Sequence, residues 1–125
     1  MTETILSIER AALDRWVKGD PDGFLDIYDP DIVYFDPFLD RRMDGLDALR
    51  AYYNSFRGQV RADRYEIVCP KVQSEGDMAV LTFNFVSWTG DTVSRWNAAE
   101  VYRRKDGQWR IIHANWQLTR PRLCD

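Results

Sequence analysis

In this 125-residue chain, the residues best suited to chemistry are two carboxylates set among aromatic side chains, Asp36 and Glu100. Asp36 closes the run Ile32-Val33-Tyr34-Phe35-Asp36 and shares its strand face with Ile32 and Tyr34. Pro37 then restricts the backbone that follows. A carboxylate placed there can act as a general base at a pocket mouth. It can also be no more than the side chain of an Asp-Pro turn. Glu100 shares a strand face with Trp96, Ala98 and Tyr102 by simple alternation. A carboxylate on an apolar face is costly unless it is paired, hydrogen-bonded or protonated. Two readings follow: a pocket acid with a raised pKa, or a structural glutamate that is bonded to Arg or Tyr or sits at the sheet's wet end. Both carboxylates in one apolar cavity would give one base and one proton donor.

Other chemistries find little support. His113 is the single histidine, so a transition-metal site is not expected. By alternation it faces away from the Glu100 side. No serine stands in a nucleophile-elbow context and no phosphate-binding loop is present. No cofactor is expected. The 17 basic residues against 20 acidic leave a net charge of −3, with no surplus to neutralise phosphates, so nucleic acid is not the expected partner. The two cysteines, Cys69 and Cys124, have no metal or disulfide-framework spacing and read as free thiols of a reducing compartment. No apolar run approaches a membrane span, and the start of the chain has no targeting pattern. A cytoplasmic protein is expected, built as a single domain over residues 1–125.

Helices are predicted in the first half. Ile5, Leu6, Ile8, Ala12, Leu13, Trp16 and Val17 recur at helical spacing, and Lys18-Gly19 ends that helix. Asp20-Pro21 signals a second helix with Asp20 as N-cap, carrying Phe24, Leu25, Ile27 and Tyr28. A strand over 31–36 follows the Asp29-Pro30 turn. A third helix runs from near Asp44 to Gly58 with the stripe Leu46, Leu49, Tyr52, Tyr53 and Phe56. The second half reads as strands over about 60–73, 78–89, 92–104 and 108–119, separated by turn signals of which Asp106-Gly107 is the clearest. The fold class is α+β.

Alternation assigns a covered face to Leu81, Phe83, Phe85, Trp96, Ala98, Glu100, Tyr102, Ile112, Ala114, Trp116 and Leu118. Ala98 and Ala114 are small and leave volume beside Glu100. The opposite face mixes Arg95, Asn97, Val101, Trp109, Ile111, His113 and Asn115. That mixture suits a homodimer formed through the outer sheet face, since Trp109 and Ile111 would otherwise be exposed.

The run from Tyr28 to Pro37, the segment Asp44-Gly45-Leu46-Asp47-Ala48-Leu49-Arg50-Ala51-Tyr52-Tyr53 and the stretch from Glu100 to His113 together resemble the nuclear-transport-factor-2-like superfamily. Within it the chain is similar to SnoaL-like proteins, bacterial ketosteroid isomerase and the association domain of calcium/calmodulin-dependent kinase. The resemblance spans essentially the whole chain. It implies three N-terminal helices packed as a cone on a strongly bent, mostly antiparallel sheet, with a deep pocket at the open end. It also implies that Asp36 matches the isomerases' general base, Glu100 the carboxylic acid of their oxyanion hole, and Trp116 a pocket-lining tryptophan. The oxyanion tyrosine of those enzymes falls at about Ala12. Tyr28, Tyr34, Tyr52, Tyr53 and Tyr102 are the tyrosines available in its place.

The combined expectation is a cofactor-independent isomerase, cyclase or dehydratase acting on a flat, largely apolar carbonyl compound. Asp36 is the expected base and Glu100 the expected acid. The expected substrate-binding residues are Trp16, Tyr34, Tyr53, Phe83, Phe85, Trp96, Ala98, Tyr102, Ala114 and Trp116. The alternative is a non-catalytic ligand-binding or oligomerisation module of the same fold.

Overall fold

The apolar stripe at the start of the chain forms α1 (Thr2–Trp16), which buries Ile5, Leu6, Ala12 and Leu13. Glu3 in its first turn and Arg15 in its last complement the helix dipole. The computed structural model describes residues 1–119, so Cys124 lies outside the described residues. Gly19 then takes φ +86°, and the Gly58 backbone crosses it so closely that a Cβ on Gly19 would come within 2.9 Å of the Gly58 Cα. The Gly58 N–H donates to the Gly19 carbonyl at 2.9 Å, which ties the third helical segment to the end of the first.

The second helix is shorter than its start signal suggests. α2 spans only Asp22–Leu25, and its N-cap position is Pro21. Asp20 instead accepts the Asp22 N–H at 3.0 Å and pairs with Arg15 at 2.9 Å. Tyr28 is drawn out of the helix into β1 (Tyr28–Phe35), which starts before the expected Asp31. The Asp29-Pro30 turn signal survives as an irregularity inside this strand, between Tyr28 and Val33. A two-residue strand, β2 (Met43–Asp44), pairs with β1, so α3 (Leu46–Asn54) begins after Asp44 rather than at it. Among the described residues there are three helices, but α3 follows two strands, so they are not all N-terminal to the sheet.

Four long strands complete the fold: β3 (Arg64–Glu75), β4 (Met78–Thr89), β5 (Thr92–Lys105) and β6 (Gln108–Leu118). They form one six-stranded open sheet in the order β2-β1-β6-β5-β4-β3. Only β1 and β6 run parallel; the other neighbours are antiparallel. β3 starts later than the expected residue 60, because 58–63 is a crossing loop. Ala62 N–H donates to the Val17 carbonyl, and Asp63 N–H to the Trp88 carbonyl.

The inward face follows the alternation through β4 and β5, where Ala79, Leu81, Phe83, Phe85, Ala98 and Tyr102 are buried. In β6 the expectation fails at a bulge and at the two ends of the strand. The register slips between Val101 and Tyr102, pairing them with His113 and Ile111 and leaving Ile112 as the extra residue of a bulge. Ile111, expected outside, is therefore fully buried, and Ile112, expected inside, is only half-buried. Trp109, also expected outside, packs partly against the core. Leu118 ends β6 and is 51% exposed rather than covered. Among the described residues no helix is long and apolar enough to cross a membrane.

Candidate functional site

One end of the sheet and the helices enclose a cavity of about 550 Å³, within the usual size range of small-molecule sites. Helix α1 contributes Leu13 and Trp16 to its wall, and α3 contributes Tyr52 and Tyr53. The three long strands β4, β5 and β6 contribute Phe85, Trp96 and Trp116. Tyr28, Tyr34 and Asp36 enter from β1 and the residue just beyond it. Trp116 is the centre of the aromatic wall: its ring lies 5.6 Å from both Phe83 and Phe85, 6.3 Å from Trp96 and 6.4 Å from Phe24. Trp16 packs on Tyr53 at 5.0 Å and on Phe24 at 5.8 Å from the helix side.

Asp36 is 8% exposed and takes three hydrogen bonds. Tyr34 and Tyr52 hydroxyls donate to its Oδ2 at 3.0 and 2.7 Å, and the Phe38 N–H donates to its Oδ1 at 2.9 Å. An ionised carboxylate is an acceptor only, so every partner matches that form. The alternation of β1 aims Tyr34 inward beside Asp36. The i, i+3 and i, i+4 pattern of α3 aims Leu49, Tyr52 and Tyr53 the same way. Behind Tyr34, the hydroxyls of Tyr28 and Tyr53 share a hydrogen bond of 2.9 Å. Burial raises the pKa of Tyr28, Tyr34 and Tyr53, and the nearby hydroxyls and carboxylates add to this for Tyr28 and Tyr34. These phenols remain protonated donors at any ordinary pH.

Glu100 does not line the cavity. It is fully buried one layer out, beside Trp116, and faces Glu9 of α1. Burial raises its pKa well above the ordinary 4.5, and the Glu9 carboxyl raises it further. Phe83, Ala98, Tyr102 and Ala114 also lie outside the lining and support the wall from beneath. The cavity thus unites Trp16, Tyr34, Asp36, Tyr53, Phe85, Trp96 and Trp116 of the expected set, and leaves the second carboxylate outside it. His113 packs edge-on against Phe35, as its outward parity requires.

Two features escaped the sequence reading. Tyr52 stood only among five candidate tyrosines, and nothing in its helical spacing set it apart as a partner of Asp36. Glu9 was not singled out at all. Its signal was positional: it falls four residues after Ile5 and four before Leu13, in the middle of the buried stripe. At the mouth, Ser87 and Ser94 are cross-strand partners on the inward face, and Arg61 lies nearby. No cluster of three or more His, Cys, Asp or Glu side chains suited to a metal occurs among the described residues.

This arrangement is an aromatic-walled pocket with one buried carboxylate at its side, on an open sheet with one parallel pair of strands. The model of the SnoaL-like domain matches residues 10–112, and the chain belongs to that family, within the nuclear-transport-factor-2-like superfamily. It is similar to a solved structure from Parabacteroides distasonis ATCC 8503 that carries the provisional name ketosteroid isomerase. The two share 41% identity, with 97% of this chain and 89% of that one covered, at a TM-score of 0.89. An NTF2-like protein of unknown function from Pseudomonas putida KT2440 shares 25% identity over 93% of this chain and 84% of its own, at 0.83. The CaMKII hub of S. rosetta shares the fold at 19% identity and a TM-score of 0.76, with 94% and 96% of the two chains covered. No curated protein matches the chain.

Proposed function

We propose that this SnoaL-like chain binds a flat, largely apolar carbonyl compound in its cavity and acts on it without a cofactor, as an isomerase, cyclase or dehydratase. The observation that carries this reading is Asp36, a buried carboxylate facing an aromatic cavity with its orientation fixed by three donors. Asp36 removes a proton from the carbon next to the carbonyl. The C–H electron pair passes to the carbonyl oxygen as an enolate, and the proton is returned at the position that defines the reaction. The paired hydroxyls of Tyr28 and Tyr53 supply one donor for that oxygen, since one of them donates to the other, in place of Glu100, which has no surface in the cavity. Trp16, Tyr34, Phe85, Trp96 and Trp116 hold the rings of the substrate and keep water out. The similar protein named provisionally as a ketosteroid isomerase supports the carbonyl chemistry.

A thermal-shift screen of wild type and Asp36→Asn against ketones, sterols, phenols and polyketide-like aromatics tests this reading. A ligand at 100 times its dissociation constant adds about 2.7 kcal/mol of stability. Hits whose binding or turnover changes in Asp36→Asn support a carboxylate-based site. Hits that ignore the substitution favour a non-catalytic binding module. The outer sheet face, with Arg95, Asn97, Val101, Ile112 and His113, is the proposed surface for pairing with a second copy. Solved structures of hub domains share this fold, which is consistent with assembly.

A further inference from the structure

Glu9 and Glu100 are both 0% exposed, one on a helix and the other on the central sheet. Among the described residues the only full-geometry hydrogen bond to either carboxyl is from the Tyr102 hydroxyl to Glu9 Oε1, at 2.6 Å. Glu9 Oε2 and both oxygens of Glu100 have no hydrogen-bond partner. Yet the two carboxyls face each other within interacting reach, and the Trp116 indole N–H approaches Glu100 without closing to full geometry. The titratable groups facing the pair are phenols: Tyr102 faces both carboxyls, Tyr65 on β3 faces Glu9, and Tyr28 and Tyr53 face Glu100. No cation is among the groups that influence either carboxyl.

Two ionised carboxylates cannot coexist there. Each would be desolvated, each would repel the other, and as acceptors only they could not bond to one another. A single proton ends the repulsion, supplies the missing donor and leaves one charge to bury in place of two. It makes one carboxyl a donor, so that one orphan oxygen on each residue finds a partner at once. The charge that remains is then shared, with Tyr102 at one end and the Trp116 N–H at the other.

We propose that Glu9 and Glu100 hold one proton between them, and that this carboxyl pair is a positioning device which sets the pose of Trp116 in the cavity wall. Trp116 packs on three other rings of that wall, Phe24, Phe85 and Trp96, and on Phe83 beneath it, so a change in its tilt reshapes the space a ligand meets. The pair also ties α1, which carries Leu13 and Trp16 into the cavity, to β5. The proposal stands whether the cavity is catalytic or only binds. It concerns the shape of the wall and not the role of Asp36.

Carboxyl carbon NMR of the whole protein labelled at glutamate tests it directly, together with the indole N–H spectrum of its five tryptophans. Glu9→Gln and Glu100→Gln assign the pair, and Trp116→Phe assigns the indole. At pH 7 the pair is expected to give a protonated carboxyl signal that each glutamine variant removes. The Trp116 indole signal is expected to move in Glu9→Gln, although Glu9 itself does not line the cavity. Two ionised carboxyls at pH 7 would overturn the shared proton. An indole signal unmoved in Glu9→Gln would overturn the positioning role. If Glu100→Gln does not fold, Glu9→Gln and Trp116→Phe alone give both readouts.

Discussion

At Asp36 the turn residue and the cavity carboxylate are one group. Oδ1 takes the Phe38 N–H and closes the Asp-Pro turn, while Oδ2 collects two phenol protons at the cavity wall. The alternation of Tyr34 and Asp36 was enough to place it, because β1 keeps a regular register from Val33 onward. The Tyr34 bond is buried and goes to a charged acceptor, so Tyr34→Phe should cost about 1.5–3 kcal/mol of stability, read by urea denaturation. A loss below about 0.5 kcal/mol would show that the hydroxyl is not part of the support of Asp36. Glu100 was legible as an anomaly of the covered face, but its partner was not. A glutamate inside an apolar helical stripe looks the same in sequence as one on a solvated edge. Only the packing of α1 on β5 distinguishes them.

At the scale of elements, the errors of the sequence reading have local causes. Strand parity holds until a bulge, and the slip opposite Val101 and Tyr102 exchanges Ile111 for Ile112 without any proline or glycine to announce it. The outcome is testable by paired truncations. Ile111→Ala should cost about 2–5 kcal/mol as a buried aliphatic, while Ile112→Ala should cost clearly less. Equal losses, measured by denaturation, would contradict the register. The second helix was over-read because Asp20-Pro21 is a genuine start signal, with nothing nearby to show how soon Tyr28 is claimed by β1. Its one full turn presses close on α1 at Gly23, where a Cβ would meet the Ala12 carbonyl oxygen at 2.9 Å. Gly23→Ala should therefore destabilise by about 1–3 kcal/mol, because backbone cannot give way as a flexible side chain can. A neutral or stabilising effect in the same assay would show that the two helices are free to separate.

For the whole molecule, the α+β class and the family were readable because the aromatic run around Asp36 and the final hairpin are contiguous in sequence. The cavity was less readable, since its wall is assembled from seven elements whose spacing depends on helix placement. The buried acid pair has a global consequence. Burial raises the pKa of both Glu9 and Glu100 above the ordinary 4.5. The folded chain therefore holds protons that the unfolded chain releases. Their contribution is complete below pH 4.5 and is lost as pH rises toward the folded values. Thermal stability should decline on the alkaline side of that point, and Glu9→Gln should flatten the decline. An identical slope in the variant would remove the pair from the account. Sedimentation velocity should show a species of twice the chain's mass if the outer face pairs two copies, and a monomer would exclude that pairing.

The central claim is that Asp36 removes a proton beside a carbonyl, and the most direct measurement is hydrogen–deuterium exchange in heavy water. Cyclic and aromatic ketones identified by the thermal-shift screen would be followed by NMR, with wild type and Asp36→Asn compared at equal concentration. The account predicts exchange at the carbon next to the carbonyl with wild type and its loss in a folded Asp36→Asn. Equal exchange by both proteins, or none by either with a ketone that binds, would contradict it.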